Sequence, residues 1–133
     1  MVKLKKQGDK AFNESNFEKA YKLYSEALVF DEKDYDLIAC LIGAALNLGY
    51  LNEVIEKSDY LITLDGQKAQ GYYLKGIANH VIFQYEDAID LFLKALEFEK
   101  EHATLIVKNL IKTITKYLDI EETFQFDDDD NST

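Results

Sequence analysis

The sequence predicts an all-α protein built from helical hairpins that repeat along the chain. Gly8 and Gly76 are 68 residues apart, which is twice 34, and other small and aromatic residues recur at that distance. These pairs are Ala20 and Ala88, Tyr24 and Phe92, Ala27 and Ala95, Leu28 and Leu96, and Phe17 and Tyr85. Halfway between, the phase is kept by Leu51, Val54, Leu61 and Ile62. Because a fixed period of this kind marks repeat architectures, we expect three units.

The period and its pattern of glycine, alanine and aromatic residues resemble the tetratricopeptide repeat, a helix-turn-helix unit that buries its apolar face by stacking on neighbours. The strongest match is the segment 72–100, and the resemblance covers about residues 1–102. It implies a solenoid of three units in a right-handed superhelix with a concave inner face. In the middle unit Ile42 takes the glycine position and Ser58 the aromatic one, so we expect that contact to be packed differently.

The first two repeats are predicted at 1–34 and 35–68. In the first, helices near 2–14 and 17–31 are separated by a polar turn at Ser15 and Asn16, and the second helix is plainly amphipathic. The second repeat is expected to turn at Leu48, Gly49 and Tyr50.

The third repeat is predicted at 69–102, with its turn near Phe83 and Gln84. After it, apolar residues at helical spacing predict a capping helix over 103–118, which would cover the open face of the last repeat. Lys108, Lys112 and Lys116 would form its solvated stripe. One domain at 1–118 is therefore expected, followed by an acidic disordered tail at 119–133.

Charge and composition exclude several classes of partner. Seven of the 25 acidic residues follow Leu118, which leaves 18 acidic against 15 basic residues in the repeat body, and all 15 basic residues are lysine. Because phosphate binding needs a cationic surface, nucleic acid is a poor partner. No apolar stretch is long enough for a membrane helix, and the single Cys40 allows no internal disulfide. These features favour a soluble cytoplasmic protein without membrane insertion.

In the tetratricopeptide-repeat family the first helix of each repeat lines the concave groove. The resemblance therefore implies a peptide-binding groove lined by Lys5, Phe12, Asn13, Leu46, Asn47, Tyr73, Ile77, His80 and Val81. Phe12, Leu46, Tyr73 and Ile77 are the candidate anchors, because aromatic and large aliphatic residues dominate interface energetics. The alternative for each is packing between neighbouring first helices.

Some members of the family hold the acidic C-terminal tails of heat-shock chaperones with a carboxylate clamp of lysine, asparagine and arginine. In this sequence the matching positions are Lys5, Asp9, Cys40, Gln70 and Leu74. Only Lys5 is of the expected type. Asp9 would repel a terminal carboxylate, and Leu74 supplies no donor. We therefore expect no working clamp.

The sequence offers no constellation of acid, base and nucleophile and no phosphate-binding loop, so an enzyme and a cofactor are not expected. His80 and His102 lie on different repeats without a second ligand at metal-binding spacing. The leading hypothesis is a non-catalytic adaptor or co-chaperone that binds a peptide or helical segment of another protein. Two alternatives stay open: a chaperone that shields apolar client segments, and a self-associating scaffold. We expect a monomer, with pairing through the capping helix as the open alternative.

Overall fold

The computed structural model describes residues 2–101 and 103–131, and from residue 123 onward it describes the backbone alone. These residues form seven α-helices: α1 (Val2–Asn13), α2 (Phe17–Leu28), α3 (Tyr35–Leu48), α4 (Leu51–Leu64), α5 (Ala69–Val81), α6 (Tyr85–Phe98) and α7 (Ala103–Asn131). Each helix packs on the next along the chain. The leading helices α1, α3, α5 and α7 also touch one another in sequence, so they form one layer of the solenoid.

The turn inside each hairpin has the same geometry. Ser15, Gly49 and Phe83 stand 34 residues apart, and all three have positive φ, at 59°, 80° and 68°. The next residue in each turn donates its N–H to a carbonyl five residues back, at 2.8, 2.9 and 2.8 Å. This is the left-handed helix ending that satisfies free carbonyl groups. The turns fall where the sequence predicts them, although only the middle one has the glycine that favours such a φ.

The second helix of the first repeat is shorter than predicted. We expected it to continue to residue 31, and α2 ends at Leu28. The N–H groups of Val29 and Phe30 bond to carbonyl oxygens three residues back, at 3.3 and 3.1 Å. Such tight bonds close the last turn of a helix and end its regular pattern.

Small and large residues alternate at the contacts inside the outer hairpins. A Cβ added to Gly8 would lie 2.6 Å from the buried ring of Tyr24, and one added to Gly76 would lie 2.7 Å from that of Phe92. In the middle hairpin the sizes are reversed, since Ile42 replaces the glycine and Ser58 the aromatic ring. Both are fully buried. The expected difference in packing is therefore an exchange of volume across the contact.

The capping helix is present and covers the last repeat. Ile106, Leu110 and Thr113 are buried against the third hairpin at helical spacing. The predicted end near 118 is wrong, because α7 continues to Asn131. No glycine or proline follows residue 118 to stop it, and extending a formed helix costs less than starting one. The segment expected as a disordered tail is thus helical as far as residue 131, and residues 132 and 133 lie outside the described part.

Among the described residues, no helix combines the length and apolarity that a membrane crossing requires.

Candidate functional site

A cavity of about 430 Å³ opens between the leading helices α1, α3 and α5. Three first helices therefore meet at one concave site, as the resemblance implied. The lining residues are Asp9, Phe12, Asn13, Tyr24, Ala39, Cys40, Gly43, Gln70 and Leu74. Most of the wall is apolar, and the polar groups lie at its base and rim. This combination is typical of a ligand site.

Small residues on α3 leave the space open. The helix begins at a cap in which Asp34 Oδ1 accepts a hydrogen bond from the N–H of Leu37, 3.1 Å away. From that start, Ala39 and Gly43 reach the cavity wall. Phe12 is held aside by an edge-on contact with Phe17, whose ring centroid is 5.2 Å away. A Cβ on Gly43 would lie 3.6 Å from the Phe12 ring, so this glycine is not required for close packing.

At the base of the cavity lies a carboxylate. The Tyr24 hydroxyl donates to Asp9 Oδ1 at 2.6 Å, and Lys5 Nζ lies 3.4 Å from Asp9 Oδ2. Burial, followed by the hydrogen bond to Asp9, raises the pKa of the Tyr24 phenol, which therefore stays a donor. Asp9, first of all, raises the pKa of Lys5. Burial is the main cause that raises the pKa of the Cys40 thiol, so this group is neutral at pH 7.

The structure brings the clamp positions together, but not as a clamp. Asp9, Cys40, Gln70 and Leu74 all line the cavity, and Lys5 pairs with Asp9 at its edge. An acidic chain terminus would meet the carboxylate of Asp9 where it needs an amide donor. Leu74 is 8% exposed and supplies only apolar surface.

Other predicted groove residues mainly hold the array together. Tyr73 accepts a hydrogen bond from Asn109 Nδ2 at 3.0 Å, and His80 Nδ1 lies 2.8 Å from Thr113 Oγ1 on α7. Ile77 packs against the cluster around Phe92. Burial first, then Lys112 and Lys116, lowers the pKa of His80. For this part of α5, packing between leading helices is the role that the contacts favour.

The remaining predicted residues lie apart from the cavity. Leu46 is half-buried against the central core cluster. The Asn47 side chain is exposed and donates to the carbonyl of Gly43 at 2.8 Å. Val81 is 47% exposed at the end of α5. Phe12 and Asn13 are thus the two groove candidates that line the cavity directly.

A second cavity of about 450 Å³ adjoins the first through Gln70. Its wall includes Tyr73 and, from later helices, Phe98, Leu105 and Ile106. Sequence reasoning missed these later residues because it treated α7 only as a cover. The helical spacing of Leu105 beside Asn109 was the available signal, since it places both residues on the side of α7 that meets Tyr73.

No cluster of His, Cys, Asp or Glu among the described residues could hold a metal ion. His102, considered with His80 as a ligand, lies outside the described residues.

With its three stacked hairpins, its covering seventh helix and its concave layer of leading helices, the chain is a tetratricopeptide-repeat domain. No family model matches the sequence. The chain is 32% identical over 103 residues to an Hsp70-Hsp90 organising protein of Plasmodium falciparum. That match covers 77% of this chain and 41% of the relative, so the chain spans less than half of the relative's length.

Two solved structures have the same fold. The Sgt2 TPR domain from Aspergillus fumigatus superposes with a TM-score of 0.84 at 20% identity, covering 91% of this chain and 81% of that one. The first TPR of Spaghetti (RPAP3), bound to the HSP90 peptide SRMEEVD, has a TM-score of 0.79 at 19% identity. There the coverage is 88% of this chain and 92% of the other. At such identities the likeness concerns the fold.

Proposed function

We propose that this domain is a non-catalytic interaction module that binds a peptide segment of a partner protein in its concave groove. The observation that carries the proposal is the cavity at the junction of α1, α3 and α5. It has a volume of about 430 Å³, is open to solvent and has walls formed by Phe12, Ala39 and Leu74. Large side chains that enter such a pocket supply most of the binding energy in peptide recognition.

The type of peptide differs from that in the neighbouring complex. The peptide SRMEEVD carries two glutamates and ends in an aspartate. In this chain the cavity presents the carboxylate of Asp9, and its described lining contains no lysine. Like charges at short distance oppose binding. We therefore propose an internal segment, rather than an acidic chain terminus, as the ligand.

The test is to fill the cavity. Dodecapeptides selected by display against the folded domain are titrated against the wild type and against Gly43→Leu. We expect Gly43→Leu to weaken binding at least about tenfold, or roughly 1.4 kcal/mol, because the new side chain occupies the anchor site. Asn52→Leu adds the same side chain at an exposed position of α4 and serves as the matched control. Equal affinities for all three proteins would contradict the proposal.

The same selection separates an adaptor from a chaperone for apolar client segments. An adaptor selects one motif, whereas a chaperone binds many unrelated apolar sequences. A cytoplasmic location and the lack of nucleic-acid partners remain predictions from the sequence.

A second candidate is self-association through an apolar stripe on α7 formed by Val107, Ile111, Ile114 and Leu118. Their exposed fractions are 38, 58, 37 and 52%. The first three follow Tyr73, Ile77 and His80 by 34 residues, so they occupy the face that a further leading helix would cover. Lysines lie in the first half of α7, and Glu121 and Glu122 follow. A second copy packed antiparallel would therefore place opposite charges side by side.

Self-association predicts a concentration-dependent sedimentation coefficient. We expect Ile111→Glu to abolish the dimer, because it buries a charge in the centre of the stripe. Leu93→Glu removes a side chain of 49% exposure from α6 and serves as the control. A wild-type monomer at millimolar concentration would exclude this candidate and leave the groove proposal untouched.

A further inference from the structure

The cavity between α1, α3 and α5 carries one formal charge, and it is negative. Of the nine residues described as lining it, Asp9 alone is ionised at neutral pH. Tyr24 and Cys40 both have a raised pKa and remain protonated. Asn13 and Gln70 are neutral amides. A ligand group placed here therefore meets a carboxylate within mostly apolar walls.

That carboxylate has unused hydrogen-bonding capacity. Its two oxygens together accept about four hydrogen bonds, and the described partners are the Tyr24 hydroxyl at 2.6 Å and Lys5 Nζ at 3.4 Å. The Lys5–Asp9 pair is weak, because the two side chains are 39% and 42% exposed. Lys5 is a flexible chain at the cavity edge and is free to turn outward. A donor entering the cavity would replace it on Asp9.

The shape of the wall selects among donors. Phe12 and Leu74 form apolar surface on both sides of the path to Asp9. An arginine side chain combines an apolar stem with a planar, weakly hydrated guanidinium that stacks on aromatic rings and donates two parallel hydrogen bonds to a carboxylate. A lysine ammonium is more strongly hydrated and has no plane to stack. Arginine therefore fits the chemistry of the site best.

We propose that this cavity receives an arginine side chain from an internal segment of the partner protein, with its guanidinium on Asp9 and its plane against Phe12. This inference rests on the proposed function of the groove and specifies its ligand. The acidic excess of the chain, with a formal net charge of −10, favours encounter with a cationic segment.

The experiment compares each display-selected peptide with a copy in which its arginine is replaced by citrulline, which keeps the shape and removes the charge. Binding is measured on the wild type and on Asp9→Asn, which retains an oxygen for the Tyr24 hydrogen bond. We expect an arginine at one fixed position of the selected peptides. Citrulline should weaken binding to the wild type about tenfold and binding to Asp9→Asn less than twofold.

Two outcomes overturn the arginine proposal while leaving the groove in place. One is a set of peptides without a fixed arginine whose binding is still blocked by Gly43→Leu. The other is a citrulline penalty of equal size on the wild type and on Asp9→Asn. Peptides that bind Gly43→Leu as tightly as the wild type would instead contradict the function of the cavity itself. Circular dichroism of Asp9→Asn, expected to match the wild type, shows that any loss is not a folding defect.

Discussion

Replacing Ser58 with phenylalanine is expected to lower the free energy of unfolding by about 3 kcal/mol or more, at the upper end for an overpacked core. Ser58 and Ile42 are both fully buried and stand at the positions where the outer hairpins have a ring and a glycine. A phenyl ring at 58 would need the space that Ile42 fills. The double variant Ser58→Phe, Ile42→Gly restores the small-to-large order of the outer hairpins, so we expect it to be more stable than Ser58→Phe alone.

Urea unfolding followed by circular dichroism measures this coupling as a double-mutant cycle. Ser58→Ala is the matched control, because it changes the same position without adding volume. The Ser58 hydroxyl is buried without a described hydrogen-bond partner, so its removal should be neutral or stabilising. A double variant that is no more stable than Ser58→Phe would show that the two residues do not share one contact.

Replacing Gly76 with alanine is expected to destabilise the domain by about 1–3 kcal/mol, although alanine favours helices. The added Cβ would lie 2.7 Å from Phe92 Cε1 and 2.9 Å from Cδ1. Phe92 is 1% exposed and is confined by the Tyr73 ring, whose centroid is 5.9 Å away. The ring therefore has no open space into which it can move.

Gly43→Ala is the opposite case on the same type of helix. Its Cβ would meet Phe12 at an ordinary 3.6 Å, and alanine gains up to about 1 kcal/mol of helix propensity over glycine. We expect thermal unfolding at a higher temperature for Gly43→Ala and a lower one for Gly76→Ala. Equal shifts in the two variants would contradict the close approach at Gly76.

The 34-residue period was enough to predict the hairpins and their turns. This follows because helix pairs that stack in register must reuse one geometry, and the positive φ at Ser15, Gly49 and Phe83 shows that they do. The period also identified Ile42 and Ser58 as exceptions. It did not predict the end of α7, since residues 119–131 contain many acidic side chains but no residue that stops a helix.

The site was less predictable than the fold. The spacing placed Phe12 and Asn13 on the concave face, and both line the cavity. It could not assign Tyr73 and His80, because a helical pattern gives the face of a residue and not the neighbour that covers it. Those neighbours are Asn109 and Thr113 on α7. The volume of the cavity depends on the direction of the Phe12 ring, which no spacing specifies.

The hydrogen bond between Tyr24 and Asp9 changes how the clamp positions are understood. The sequence showed that Asp9 stands where an amide donor would be needed. The structure adds that its carboxylate is held by the Tyr24 hydroxyl at 2.6 Å, at the base of an apolar cavity. A substitution that looks like a lost function in the sequence therefore forms a site with the opposite charge preference.

The most direct test of the groove as the binding surface is amide chemical-shift mapping with a selected peptide. We expect the largest shifts at residues 9–13, 39–43 and 70–74, which belong to the three helices around the cavity. Signals from the exposed faces of α4 and α6 should stay unchanged. Shifts confined to those faces, or to the α7 stripe, would contradict the account.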